Sequence, residues 1–276
     1  MTFIFVGGSQ RTGTSIAQQT LCQHPDVNPY VYEASFLRQL VACYVEARNN
    51  FSRNHESYFE TIQNLRDFNS GVVHAFLEQI QMRLGNVKHL ILKEPHLTMY
   101  WPFLFELVPQ SKFLLMVRDP RDVIASMIRV GEKQKAQGDT YLFVERNIPQ
   151  LCQHFNSFYQ PSFSFPNEDF RQKLGIVQYE DLVLQPRSTL QQITQFTGVD
   201  FTSVDTEATP EDGHVKTEET STDQSYSASV TEVSGKKLSN SRVGNYRQVL
   251  SLQEIMVIER ECGDFFEHFG YQSHAA

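Results

Sequence analysis

The stretch that most restricts this chain is residues 3–15, FIFVGGSQRTGTS. An apolar run, Phe3-Ile4-Phe5-Val6, breaks at Gly7-Gly8, and an amphipathic pattern begins after Ser15. That order predicts a buried strand, a tight glycine turn and a helix start. A helix start carries unpaired backbone N–H groups and the positive end of the helix dipole, so it seats a phosphate or sulfate group. The spacing Gly8-x-x-x-x-Gly13-Thr14-Ser15 fits the phosphate-loop pattern G-x-x-x-x-G-K-[ST], except that Thr14 stands where the lysine belongs. Nucleotide triphosphatases use that lysine on the β- and γ-phosphates. Its absence argues against ATP or GTP hydrolysis, while the anion cradle survives and a cation stands upstream, at Arg11. On this stretch alone, an anion cradle and a plain glycine-rich β–α turn are equally good readings.

Further strands follow the same logic. Residues 89–92 (HLIL) and Lys112–Val117 (KFLLMV) are short and continuously apolar, as expected of strands buried on both faces of a parallel sheet. Residues 176–179 read as a fourth strand. Helical patterns cover residues 16–23 (stopped by His24-Pro25-Asp26), 36–44, 58–84, 101–108, 123–129, 190–196 and 251–269. Strands alternating with helices predict an α/β fold, a parallel sheet flanked by helices with a P-loop-like first turn. Functional residues then belong beyond the carboxyl ends of the strands. Three such ends carry a cation, Arg11, Lys93 and Arg118, and the fold predicts that they converge on one crevice.

A hydrophobic content of 40% over 276 residues supports a sizeable core, and the expectation is one domain spanning residues 1–276. The net charge of −8 speaks against nucleic-acid binding as the main task. Cys22, Cys43, Cys152 and Cys262 form no C-x-x-C pair, so they read as reduced thiols. Met1 leads straight into the first strand, and no apolar run is long enough to span a bilayer. Together these predict a cytoplasmic protein. Residues 202–235 are rich in Thr, Ser, Glu and Asp, which predicts a solvated insertion, with a lid over ligand as the sharper alternative.

Several segments resemble the sulfotransferases, in family order along the chain. GGSQRTGTS resembles their 5′-phosphosulfate loop, and KFLLMVRDPRDVIASMI their 3′-phosphate segment. YEDLVLQPRSTLQQITQFTG and SNSRVGNYR resemble the following strand–helix and the late basic loop. The motifs are most similar to those of the protein-tyrosine sulfotransferases, which also carry Arg in the first loop and a His-Pro-acid turn after the first helix. The resemblance implies 3′-phosphoadenosine 5′-phosphosulfate (PAPS) as donor, its bisphosphate (PAP) as product, and no metal. It implies donor binding by Gln10, Arg11, Thr12, Gly13, Thr14, Ser15, Arg118, Ser126, Lys236 and Arg242. Arg11 and Lys93 would hold the charge that grows on the leaving phosphate, and Glu33 would be the base. His96 is the rival base, and Ser227 and Ser229 are candidates for a serine near the sulfate. For Arg118 the competing reading is an ion pair with Asp119 or Asp122; Arg121 fits either role, and Lys237 could be simply solvated.

The expected reaction is sulfuryl transfer to a hydroxyl of a small molecule, carbohydrate, lipid or peptide. The aromatics Tyr58, Phe59, Tyr141, Phe143, Phe155, Phe158 and Tyr159 either line that acceptor's site or fill the core. The alternatives are a P-loop-type nucleotide kinase, which would require magnesium, and a non-catalytic PAP/PAPS-binding protein. Oligomeric state has no signal in the sequence.

Overall fold

The structure, a computed structural model, describes residues 2–206 and 237–273. Its centre is four parallel strands: β1 (Thr2–Gly7), β2 (His89–Lys93), β3 (Lys112–Val117) and β4 (Leu174–Gln178). Their order is β2-β1-β3-β4. In register, Val6 stands beside Lys93 on one side and Leu114 on the other, so the loops leaving β1, β2 and β3 open at one edge of the sheet. The chain moves from β1 to one neighbour and then crosses to the other, which creates a crevice at the carboxyl ends of the strands.

Side chains alternate across the strands and build two cores. Phe3, Phe5, Leu90, Leu92, Phe113 and Leu115 face one layer, with Trp101 fully buried against Phe113 at 5.1 Å between rings. Ile4, Val6, Ile91, Leu114, Met116 and Val177 face the other. Helix α1 (Thr14–Leu21) joins the second layer; α2 (Ser35–Asn49), α3 (Ile62–Arg83), α4 (Trp101–Leu107), α5 (Pro120–Ala136) and α6 (Ile148–Ser157) join the first. After β4, α7 (Tyr179–Leu184) and α8 (Pro186–Thr197) return to the second layer, and α9 (Leu252–Glu261) and α10 (Gly263–Phe269) close the first.

Element boundaries depart from the sequence expectations where caps intervene. Helix α5 starts at Pro120, not at residue 123, because the Asp119 carboxylate accepts from the Arg121 N–H and proline suits the first helical position. Helix α3 starts at Ile62, where Thr61 caps the Asn64 N–H after a break at Glu60, whose φ is 61°. The C-terminal helix is two, α9 and α10, broken at Cys262. Helix α6 lies in a stretch that sequence periodicity left unassigned. The insertion expected at 202–235 is described only to residue 206, and Lys236, Ser227 and Ser229 lie outside the described residues. Among the described residues no helix is long and apolar enough to cross a membrane.

Candidate active site

The loop from Gly8 to Gly13 is pinned from beneath. The Gly8 N–H donates to Thr98 Oγ1 at 2.8 Å, and the Tyr159 hydroxyl accepts from the Ser9 N–H at 3.3 Å. The Thr12 hydroxyl donates to the Ser9 carbonyl at 2.6 Å. Glycine is required at Gly13: φ is 96°, and a Cβ there would lie 2.5 Å from the Tyr179 ring. Arg11 also has a positive φ, 73°, a conformation that costs a non-glycine residue roughly 1–2 kcal/mol. The loop therefore holds Arg11 in place against its own backbone preference. No side chain caps α1.

Gly13, Thr14 and Ser15 line a cavity of about 260 Å³ together with Arg11, Arg118, Ser126 and Arg242. Ile16, Tyr179, Lys237, Ser239 and Ser241 complete its walls. Two of the three expected strand-end cations thus meet in one pocket. Arg11 Nε donates to Ser126 Oγ at 3.1 Å. Arg118, 5% exposed, stacks over the Tyr179 ring at 4.2 Å and donates to the backbone carbonyls of Arg11 (3.2 Å) and Arg242 (2.6 Å). Among the described residues its buried Nε–H has no partner. A buried, fixed guanidinium with an unused donor is suited to a phosphate oxygen.

Asp122 lies 3.7 Å from Arg118, so the ion pair weighed against phosphate binding is present beside the pocket. Its carboxylate also accepts from the backbone N–H groups of Gly244 (2.7 Å) and Tyr246 (2.9 Å). Burial pushes the Asp122 carboxyl above its usual range, and Arg118 opposes that. One acid thus ties the late basic loop to the helix that follows β3. Arg121 is structural: it binds Asp119 and Glu259, both at 2.7 Å, and stacks on Tyr246 and Phe266.

The third cation stands on the neighbouring strand. Lys93 is buried, and its Nζ donates to Glu33 Oε1 at 2.8 Å. Base candidate and strand-tip cation are therefore in contact. His96 Nδ1 lies 3.4 Å from Glu94 Oε1, and its ring packs on Phe158 at 5.4 Å and 6.3 Å from His154. Tyr141 donates to Gln10 Oε1 at 2.9 Å. Burial raises the Tyr141 pKa, and the Glu33 charge raises it further.

Some expected donor ligands are placed otherwise. The Gln10 side chain is not part of the cavity lining, and the Thr12 hydroxyl is spent on the Ser9 carbonyl. Lys237, for which simple solvation was one reading, contributes to the lining. Sequence reasoning gave no role to Tyr179, Ser239, Ser241 or the Asp122 clamp, although all lie within or beside the quoted motifs. Of the aromatics, Phe143, Phe155, Phe158 and Tyr159 are buried in the core, Tyr141 is half-buried and Tyr58 is exposed.

Comparison with known proteins agrees with this arrangement. The sulfotransferase family model matches residues 4–203. A putative protein-tyrosine sulfotransferase from Caenorhabditis briggsae is 28% identical over 212 residues, covering 72% of this chain and 66% of that protein. Protein-tyrosine sulfotransferase 2 from Gallus gallus is 28% identical over 202 residues, 73% of this chain and 52% of that protein. The chain thus spans between half and two thirds of these relatives' length. Among solved structures, the sulfotransferase domain of the Synechococcus PCC 7002 olefin synthase aligns with a TM-score of 0.61 at 18% identity, covering 99% of this chain and 95% of that one. The sulfotransferase domain from the curacin biosynthetic pathway aligns with a TM-score of 0.54 at 19% identity, covering 99% and 98%. The sheet, the strand-end cations and the match over most of the chain agree: this chain belongs to the sulfotransferase family.

Proposed function

We propose that this chain transfers a sulfuryl group from PAPS to a hydroxyl of an acceptor, with Glu33 as the base. The observation that carries the donor assignment is Arg118, buried, stacked and left with one unused N–H beside Ser126 and Arg242. A site of this kind suits a compact phosphate that ATP lacks, the 3′-phosphate of PAPS. PAPS supplies an already activated sulfuryl group on a phosphate leaving group. Gly13 lets backbone approach the 5′-phosphate, Thr14 and Ser15 offer N–H and hydroxyl donors, and Arg11 and Lys93 are the fixed cations for charge growing on that phosphate. In a water-poor crevice each such cation is typically worth a few kcal/mol, on the order of 3. Glu33 takes the acceptor's proton. Fixed cations do the work that magnesium does in a kinase. The protein-tyrosine sulfotransferase relatives support a hydroxyl acceptor, and peptide, carbohydrate, lipid and small-molecule hydroxyls all fit this chemistry.

Calorimetric titration with PAP, PAPS and ATP, each with and without magnesium, tests the donor. PAP should bind without magnesium, with ATP weaker by at least an order of magnitude. Arg118→Ala should weaken PAP by about 10²-fold, the loss expected for charge-assisted hydrogen bonds. Unchanged PAP affinity in that variant refutes the assignment.

A further inference from the structure

Gln10 precedes Arg11 in the donor loop, yet its side chain leaves the donor pocket, whose lining begins at Arg11. Its amide oxygen accepts the Tyr141 hydroxyl at 2.9 Å and is contacted by His154 Nε2 at 3.1 Å. An amide oxygen only accepts, so His154 donates there through an Nε2–H, and both lone-pair positions of that oxygen are used. The ring is neutral in this role: burial, with His96 adding to it, pushes His154 down to about 4. The clamp is stiff. Phe143 packs on Tyr141 at 4.8 Å and on His154 at 5.8 Å, and Phe158 packs on His154 at 5.0 Å, both phenylalanines lying in the core.

This arrangement leaves the two N–H donors of the half-buried Gln10 amide with no protein partner among the described residues. This cluster lies on the Glu33 side of the loop: the His154 ring faces His96 at 6.3 Å, and His96 lies three residues beyond Lys93, which binds Glu33. An acceptor hydroxyl that reaches Glu33 therefore comes up against a wall made of the half-buried rings of Tyr141 and His154, and one oriented amide. We propose that the Gln10 amide recognises the acceptor, donating to a hydrogen-bond-accepting oxygen carried by a neutral aromatic acceptor near its reacting hydroxyl. Tyr141 and His154 are positioning residues, acting through Gln10. Offset and edge-on ring contacts with the wall favour a flat body. An acceptor lacking the second oxygen leaves the amide desolvated and unpaired, which makes this group a specificity element.

The inference rests on the PAPS reading, and the test separates the two. The probes are 3-hydroxyacetophenone and 3-ethylphenol, phenols of matched size of which only the first carries a carbonyl oxygen. With PAPS as donor, wild type should favour the first in kcat/KM by about tenfold, and Gln10→Leu should bring that ratio close to one. Tyr141→Phe and His154→Phe should give intermediate ratios. Any misfolded fraction slows both probes equally and cancels in the ratio. PAP affinity, measured by calorimetry, should be unchanged in Gln10→Leu. The inference is overturned by equal ratios in wild type and Gln10→Leu, or by a loss of PAP affinity in Gln10→Leu that marks Gln10 as a donor ligand. It is also overturned if wild type binds PAP and sulfates neither phenol. Failure of wild type to bind PAP at all brings down the donor reading itself, and with it this one.

Discussion

Lys93 and Glu33 differ sharply in setting: the lysine side chain is 5% exposed, the glutamate 41%. A buried ammonium needs a partner, whereas a half-exposed carboxylate keeps its water. Replacing the acid by its amide preserves a hydrogen-bond acceptor for Lys93, so Glu33→Gln should fold and bind PAP as wild type does. Its kcat should fall by about 10²–10⁴-fold, the usual contribution of a positioned base. Lys93→Ala should lower kcat by about 10²–10³-fold through lost stabilisation of the leaving phosphate. Single-turnover sulfate transfer from PAPS measures both. If His96→Ala reproduces the loss and Glu33→Gln does not, the proton goes to the histidine. At this scale the sequence picked out three cations by their place at or just beyond an apolar strand: Lys93 ends β2, Arg118 follows β3, and Arg11 stands in the loop after β1. It could not assign partners within Arg118-Asp119-Pro120-Arg121-Asp122, where adjacent charges offer several pairings. Arg121 finds Glu259, far along the chain, and only the packing of α9 against α5 decides that.

The unit of strand, glycine turn and helix is the element on which the site is mounted. Gly13→Ala would place a Cβ against the Tyr179 ring in a left-handed backbone, so a loss of about 1–3 kcal/mol in urea unfolding is expected. PAP affinity should fall with it, because Tyr179 also carries Arg118. Helix α9 is held differently. Ser251 and Glu254 form a reciprocal capping box, and Arg146 donates to Glu254 at 2.7 Å. That bond, ahead of the Ser251 contacts, lowers the Glu254 pKa from 4.5 to about 2. An acid with a depressed folded-state pKa stabilises the fold above its unfolded pKa and loses that contribution as the pH falls. The difference in urea midpoint between wild type and Glu254→Gln should therefore be constant above about pH 5. It should shrink as the pH drops from 4.5 towards about 2. Strands and the first helix were readable from period and punctuation alone. Helix α6 carries the same signal and was nevertheless left unassigned: Ile148, Leu151, Cys152 and Phe155 stand at i, i+3, i+4 and i+7, and all four are buried in the core.

For the molecule as a whole, the strand order is what turns scattered motifs into a site. Arg11 and Arg118 are 107 residues apart and meet because β1 and β3 are neighbours; Lys93 ends β2, on the opposite side of β1, and pairs with Glu33 instead. The meeting of Arg11 and Arg118 was legible, since parallel strands place all their exits at one edge. The acceptor-facing cluster of Gln10, Tyr141 and His154 was not, because its members come from three segments with no common period. If PAP binds only the folded chain, a concentration of 100 times its Kd should add about 2.7 kcal/mol, or roughly 5–10 °C in Tm for a protein of this size. Differential scanning fluorimetry with PAP measures this, and at the same PAP concentration Arg118→Ala should cut the shift to about 1 °C, since a 10²-fold weaker site leaves about 0.4 kcal/mol. Asp122 carries a further consequence. One carboxylate bolts Gly244 and Tyr246 to the turn that presents Arg118, so the two regions cannot drift independently in evolution or in engineering. A chain that lost this acid would keep every side chain proposed to handle sulfate and still let the roof and floor of the chamber around Arg118 slide apart.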